Sequence, residues 1–154
     1  MTSKKPLPDD LAKRIKASPI DLKQAEFFIK RAKKDLSTAL RLQETDLEAA
    51  YQFLYTTMLH SALGYMVCEG VRPDVRGKHK TVVDYIAHAL GKNYESKIQF
   101  YDRMRKRRHQ FIYDPGPAGC TEKEIEDARA VAEEFLAIIS SRIKDQNPQK
   151  EFNF

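Results

Sequence analysis

The sequence predicts an all-α protein, an up-and-down bundle of about five helices, and three observations support this. Apolar residues recur at three- and four-residue steps through most of the chain, β-branched runs of period two are absent, and every glycine lies after residue 63, four of them in two loops. With 154 residues, 42% of them hydrophobic and 32% charged, the chain suits one soluble domain with a heavily charged surface. Three parts are expected: an N-terminal arm over residues 1–20, a bundle domain over 21–145, and a polar, fraying tail over 146–154.

In the arm, Asp9 and Asp10 after Pro8 are expected to cap a short helix carrying Leu11 and Ile15, which Ser18-Pro19 ends, making a docking arm. From about Asp21 to Leu42, the spacing of Leu22, Ala25, Phe28, Ile29, Ala32, Leu36, Ala39 and Leu40 predicts a long amphipathic helix. Thr45 or Asp46 caps the next, from about Leu47 to Glu69, with Ala50, Phe53, Leu54, Thr57, Met58, Ser61, Ala62 and Tyr65 facing inward and Gly70 stopping it. After the loop 71–78, a shorter helix runs from about His79 to Leu90, ended by Gly91. Another runs from about Tyr94 to Phe111 and is broken by the turn 114–119, which is rich in Pro and Gly. Thr121 with Glu124 forms a capping box for the last helix, whose inner residues run from Ile125 to Ile143. The acidic residues Glu122, Glu124, Glu126 and Asp127 suit its N-terminus and need no further role.

Cys68 lies in an apolar run and Cys120 in a Gly/Pro loop, with no CxxC spacing, so neither a zinc site nor a disulfide framework is expected. No HExxH, glycine-rich phosphate loop or Ser/His/Asp order is present, and no metal or other cofactor is expected. There is no apolar run of membrane-spanning length, and the start Met-Thr-Ser-Lys-Lys-Pro lacks the apolar segment of a signal peptide. A cytoplasmic location without membrane association is the expectation. The net charge of +5 favours polyanionic partners only weakly, because solubility alone can select it.

The chemistry concentrates in residues 103–114, where five of the first six residues are cationic and His109, Phe111, Ile112, Tyr113 and Asp114 follow. At about 100° per residue, Asp102, Arg105 and His109 fall within about 60° of one another, and Tyr113 joins them if the helix persists. Arg103 and Arg107 point elsewhere and read as solvated. A histidine among arginines stays neutral more easily and can serve as a general base, while an arginine beside it can hold a phosphate. The plain alternative is a solvated basic helix face whose histidine meets the terminal carbonyls. Among the other histidines, His60 reads as a hydrogen-bonded core residue and His88 has no spaced partner. His79 reads as a capping or packing residue, or as part of an anion site with Arg76, Gly77 and Lys78.

Several stretches together resemble the HEPN domain family (higher eukaryotes and prokaryotes nucleotide-binding) over roughly residues 20 to 142. They are the helix from Ala50 to Tyr65, the run 69–73, the run 77–83, the segment 107–115 and the helix with Ala128, Ala132 and Phe135. The resemblance implies a helical bundle that dimerises across a basic cleft. It also implies metal-independent endoribonuclease activity, with arginine holding the scissile phosphate, histidine assisting 2′-hydroxyl attack, and a 2′,3′-cyclic phosphate as product. The family motif, an arginine followed after four to six residues by a histidine, fits in two registers: Arg103 with His109, or Arg108 with Tyr113 in the histidine position. The second matches the flanking residues better and resembles members without the catalytic histidine.

The residues implied in catalysis are therefore Arg103, Arg108 and His109, and those implied in phosphate or RNA binding are Asp102, Arg105, Arg108 and Tyr113. Two functions follow: a dimeric, toxin-like protein that binds RNA or a nucleotide and cleaves RNA, or a non-catalytic module docking on a nucleotidyltransferase-like partner. A ribosome- or DNA-associated protein acting through net charge is a third.

Overall fold

A computed structural model describes residues 5–75, 78–117 and 119–154. Six α-helices lie among the described residues: α1 Asp9–Ala12, α2 Leu22–Leu42, α3 Leu47–Cys68, α4 Lys78–Leu90, α5 Glu95–Tyr113 and α6 Glu122–Gln146. Two short strands, β1 Ile15–Ala17 and β2 Val71–Pro73, accompany them, and a 3-10 turn, Lys92–Tyr94, links α4 to α5. The chain is all-α in class, as its periodicity indicates.

The bundle is built around α3. This helix is apolar on every side, with Ala50, Leu54, Tyr55, Met58, Ala62 and Met66 almost wholly buried, as a helix enclosed by neighbours must be. It packs chiefly on α2 and α6 and also meets α4 and α5. Close approach to α2 requires Gly64, where an added Cβ would stand 3.1 Å from Cβ of Phe28 and 3.3 Å from the Ala25 carbonyl oxygen. Helix starts follow local chemistry: the carboxylates of Asp21 and Asp46 accept from the backbone N–H of Gln24 and Ala49, and the Thr121 hydroxyl accepts from that of Glu124. Gly70, at φ 74°, takes the left-handed conformation that ends α3.

The N-terminal arm differs from the helix expected through Ile15. Helix α1 stops after one turn, has no side-chain cap, and is followed by β1, which pairs antiparallel with β2 in the register Ile15 to Pro73, Lys16 to Arg72 and Ala17 to Val71. Only the partner strand, more than fifty positions away, could reveal a pairing this short. Arg14 fastens the arm to α4, with Nη1 donating to the Thr81 hydroxyl at 3.0 Å and Nη2 to Asp84 at 2.9 Å. The tail also departs from its expectation. Phe152 and Phe154 pack against the core, and the backbone N–H of Asn153 donates to Glu26 at 2.6 Å. The expectations for residues 1–4, Arg76, Gly77 and Ala118 lie outside the described residues.

Candidate phosphate-binding site

Helix α5 extends through Tyr113, so the whole basic run is helical and the angular sorting of its side chains applies. Its inner residues Ile98, Tyr101, Met104 and Phe111 are buried, which fixes where each cation points.

Arg105 donates from Nε to Asp102 at 2.9 Å, the pair that helical spacing suggested. Lys106 and Lys80 add longer contacts to the same carboxylate, at 3.5 and 3.8 Å. Burial opposes ionisation of Asp102, but the Arg105 hydrogen bond and the three nearby cations prevail and hold its pKa below the ordinary aspartate value.

Arg107 is not the solvated cation its helical angle indicated. It forms a two-pronged pair with Glu124, Nε to Oε2 at 2.9 Å and Nη2 to Oε1 at 3.2 Å, and Nη2 also donates to the Gly119 carbonyl at 2.8 Å. Its guanidinium lies 4.4 Å from the Phe111 ring centre. Arg107 thus clasps the end of α5 to the start of α6, and Glu124 has a second role beyond the helix N-terminus. The end of α5 and the start of α6 adjoin in the fold, which angles on a single helix cannot show.

Arg103 is exposed and lies over Phe100, at 5.2 Å from its ring centre. Arg108 is half-buried and sits 5.4 Å from the ring centre of Tyr55 on α3. Among the described residues no carboxylate pairs with either. His109 and Tyr113 are exposed and form a surface ring pair with centres 4.5 Å apart. The structure therefore groups Arg105 with Asp102, Arg108 with Tyr55, and His109 with Tyr113. Arg103 belongs to none of these groups.

The fold also brings in His79, from the first turn of α4. Its Nδ1 lies 2.7 Å from the hydroxyl of Tyr55, and the two rings are nearly parallel at 17° with centres 5.7 Å apart. Burial, then the charges of Arg108, Lys78 and Arg105, lowers its pKa, so the imidazole stays neutral at neutral pH. Burial raises the Tyr55 pKa to about 12 although Arg108 and Arg105 pull it down, so the phenol stays protonated. A neutral imidazole, a guanidinium with no carboxylate partner among the described residues and a protonated phenol thus meet where α3, α4 and α5 converge. The available sequence signal was the triplet Lys78-His79-Lys80; Tyr55, 24 residues away, gave none.

His60 is the hydrogen-bonded histidine expected, with Nδ1 2.5 Å from the buried carboxylate of Asp35. His88 meets the Lys5 carbonyl oxygen at 3.2 Å. Among the described residues no cluster of three or more His, Cys, Asp or Glu side chains could hold a metal ion, and no helix is long and apolar enough to cross a membrane.

Together these features define a helical-bundle protein whose helix α5 carries a basic, partly buried candidate site. The model of the HEPN domain matches residues 25–143, most of the chain, and the chain belongs to that family, which is generally associated with nucleotides and RNA. No match is found among curated proteins or among solved structures.

Proposed function

We propose that this HEPN protein binds RNA or a nucleotide through its phosphate, with Arg108 as the principal contact and Arg105, His109 and Tyr113 beside it. The supporting observation is that Arg108 is half-buried on an aromatic ring yet has no carboxylate partner among the described residues. A guanidinium held out of bulk solvent without a counter-charge is stabilised by an anion, and phosphate offers its fork two acceptor oxygens. Arg105, already oriented by Asp102, can contribute a second donor. Tyr113, 72% exposed, provides a face on which a base can stack. The exposed pair Ile112 and Tyr113 beside the basic run supports a homodimer meeting along this edge.

A second reading, metal-independent RNA cleavage leaving 2′,3′-cyclic phosphate ends, draws support from His109, whose exposed imidazole follows Arg108 on the same helix. Docking on a nucleotidyltransferase-like partner through the same basic surface is the non-catalytic alternative.

Fluorescence anisotropy with labelled single-stranded RNA, in EDTA and across a salt series, tests the proposal. Salt-sensitive binding lost in Arg108→Ala is the expected result; equal binding by Arg108→Ala would overturn it. Resolving the same mixtures on a gel tests cleavage, which should disappear in His109→Ala if the second reading holds.

A further inference from the structure

Of the residues around Arg108, His79 has no place in the motif yet is held in position by a buried partner. We propose that His79 is a second arm of the phosphate site, meeting the same phosphate as Arg108 through Nε2, and that binding brings a proton onto its imidazole. This rests on the phosphate-binding reading above and adds a contact from a different helix, with a dependence on pH.

The geometry carries the inference. His79 and Arg108 both lean on Tyr55, with the imidazole centre 5.7 Å and the guanidinium carbon 5.4 Å from the phenol ring centre. Because Tyr55 is fully buried, the platform is rigid. Its hydroxyl can both donate and accept, so it pairs with Nδ1 whether the imidazole is neutral or protonated. That leaves Nε2, which no described residue meets, for a ligand.

Among the described residues, the groups facing His79 are Tyr55 from α3, Arg105 and Arg108 from α5 and Lys78 from its own helix. Asp102, a carboxylate whose charge reaches Tyr55, is engaged by Arg105, Lys106 and Lys80. In the free protein burial, and after it the surrounding cations, disfavour a positive charge on the imidazole. A bound phosphate reverses the local field: it neutralises Arg108 and favours the imidazolium, which then donates an N–H to a phosphate oxygen. Binding therefore takes up a proton, and affinity rises as pH falls.

The test measures binding of a labelled 12-nucleotide single-stranded RNA, at fixed salt, from about pH 6 to about pH 8. The proteins are wild type, His79→Gln, Arg108→Ala and, as a control for other titrating groups, His88→Gln. The wild type and His88→Gln should lose about threefold to tenfold in affinity across that range, which corresponds to an average uptake of about a quarter to a half of a proton over two pH units. His79→Gln should still bind through Arg108 but with a nearly flat profile. NMR titration of the wild-type imidazole, with and without RNA, provides a readout independent of any variant's folding, and its pKa should rise on binding. A pH profile in His79→Gln as steep as in the wild type, or an imidazole titrating identically with and without RNA, would overturn the inference. If wild type binds no RNA, or Arg108→Ala binds equally well, the phosphate-binding reading fails as well. Binding that needs Arg108 but has a pH profile independent of His79 defeats this inference alone.

Discussion

The hydroxyl of Tyr55 and Nδ1 of His79 lie 2.7 Å apart, joining the central helix to the first turn of α4 at the edge of the basic site. Tyr55→Phe should cost about 1 kcal/mol of stability, the usual net value of one such hydrogen bond, measured by urea unfolding. Its near-isosteric ring should keep the support under Arg108. A loss of phosphate binding as severe as in Arg108→Ala would show that the hydroxyl does more than hold His79.

Stability should also register the imidazole. The His79 pKa is lowered by burial first and then by Arg108, Lys78 and Arg105, so the unfolded chain takes up its proton before the folded one does. The resulting contribution is fully present above the unfolded value of about 6.5 and is lost as pH falls through the folded value. Urea unfolding at pH 7 and at pH 5 should show a smaller decline for His79→Gln than for the wild type; equal declines would contradict the assignment.

Arg107 should matter for stability rather than for binding. Arg107→Ala removes the paired contact with Glu124 and the bond to the Gly119 carbonyl, and should destabilise by about 1–2 kcal/mol, given its partial exposure. Phosphate affinity per folded molecule should stay within about twofold of wild type, because this guanidinium is committed to α6. Thermal melts combined with binding titrations separate the two effects.

Gly64 sits where α2 and α3 approach most closely, and Gly64→Val would drive a branched side chain into Phe28 and the Ala25 carbonyl. A loss of about 2–3 kcal/mol is expected from overpacking, larger than any gain in helix propensity. Circular dichroism during denaturant unfolding would measure it.

The pair His60 and Asp35 spans α2 and α3 with the carboxylate almost wholly buried. His60→Ala should cost about 2 kcal/mol, because Arg31, 3.2 Å away, can only partly compensate the carboxylate left behind. A change below about 0.5 kcal/mol would indicate that water replaces the imidazole without penalty.

The helices were legible from local pattern. Local periodicity placed α2 through α6 to within a residue or two at most ends, and capping chemistry at Asp46 and Thr121 marked two of their starts, because these signals are carried by neighbours in the chain. It also brought Arg105 to Asp102, since three residues along a helix is a contact by construction. Tertiary structure alone decided the rest. Pairing of β1 with β2, docking of Phe152 and Phe154, and the contact of Glu124 with Arg107 all join distant segments, and no local pattern encodes them. The same holds for the candidate site: one helix angle separated Arg107 from His109, but only packing of three helices made Arg107 a clasp, laid Arg108 over Tyr55, and brought His79 to the same ring.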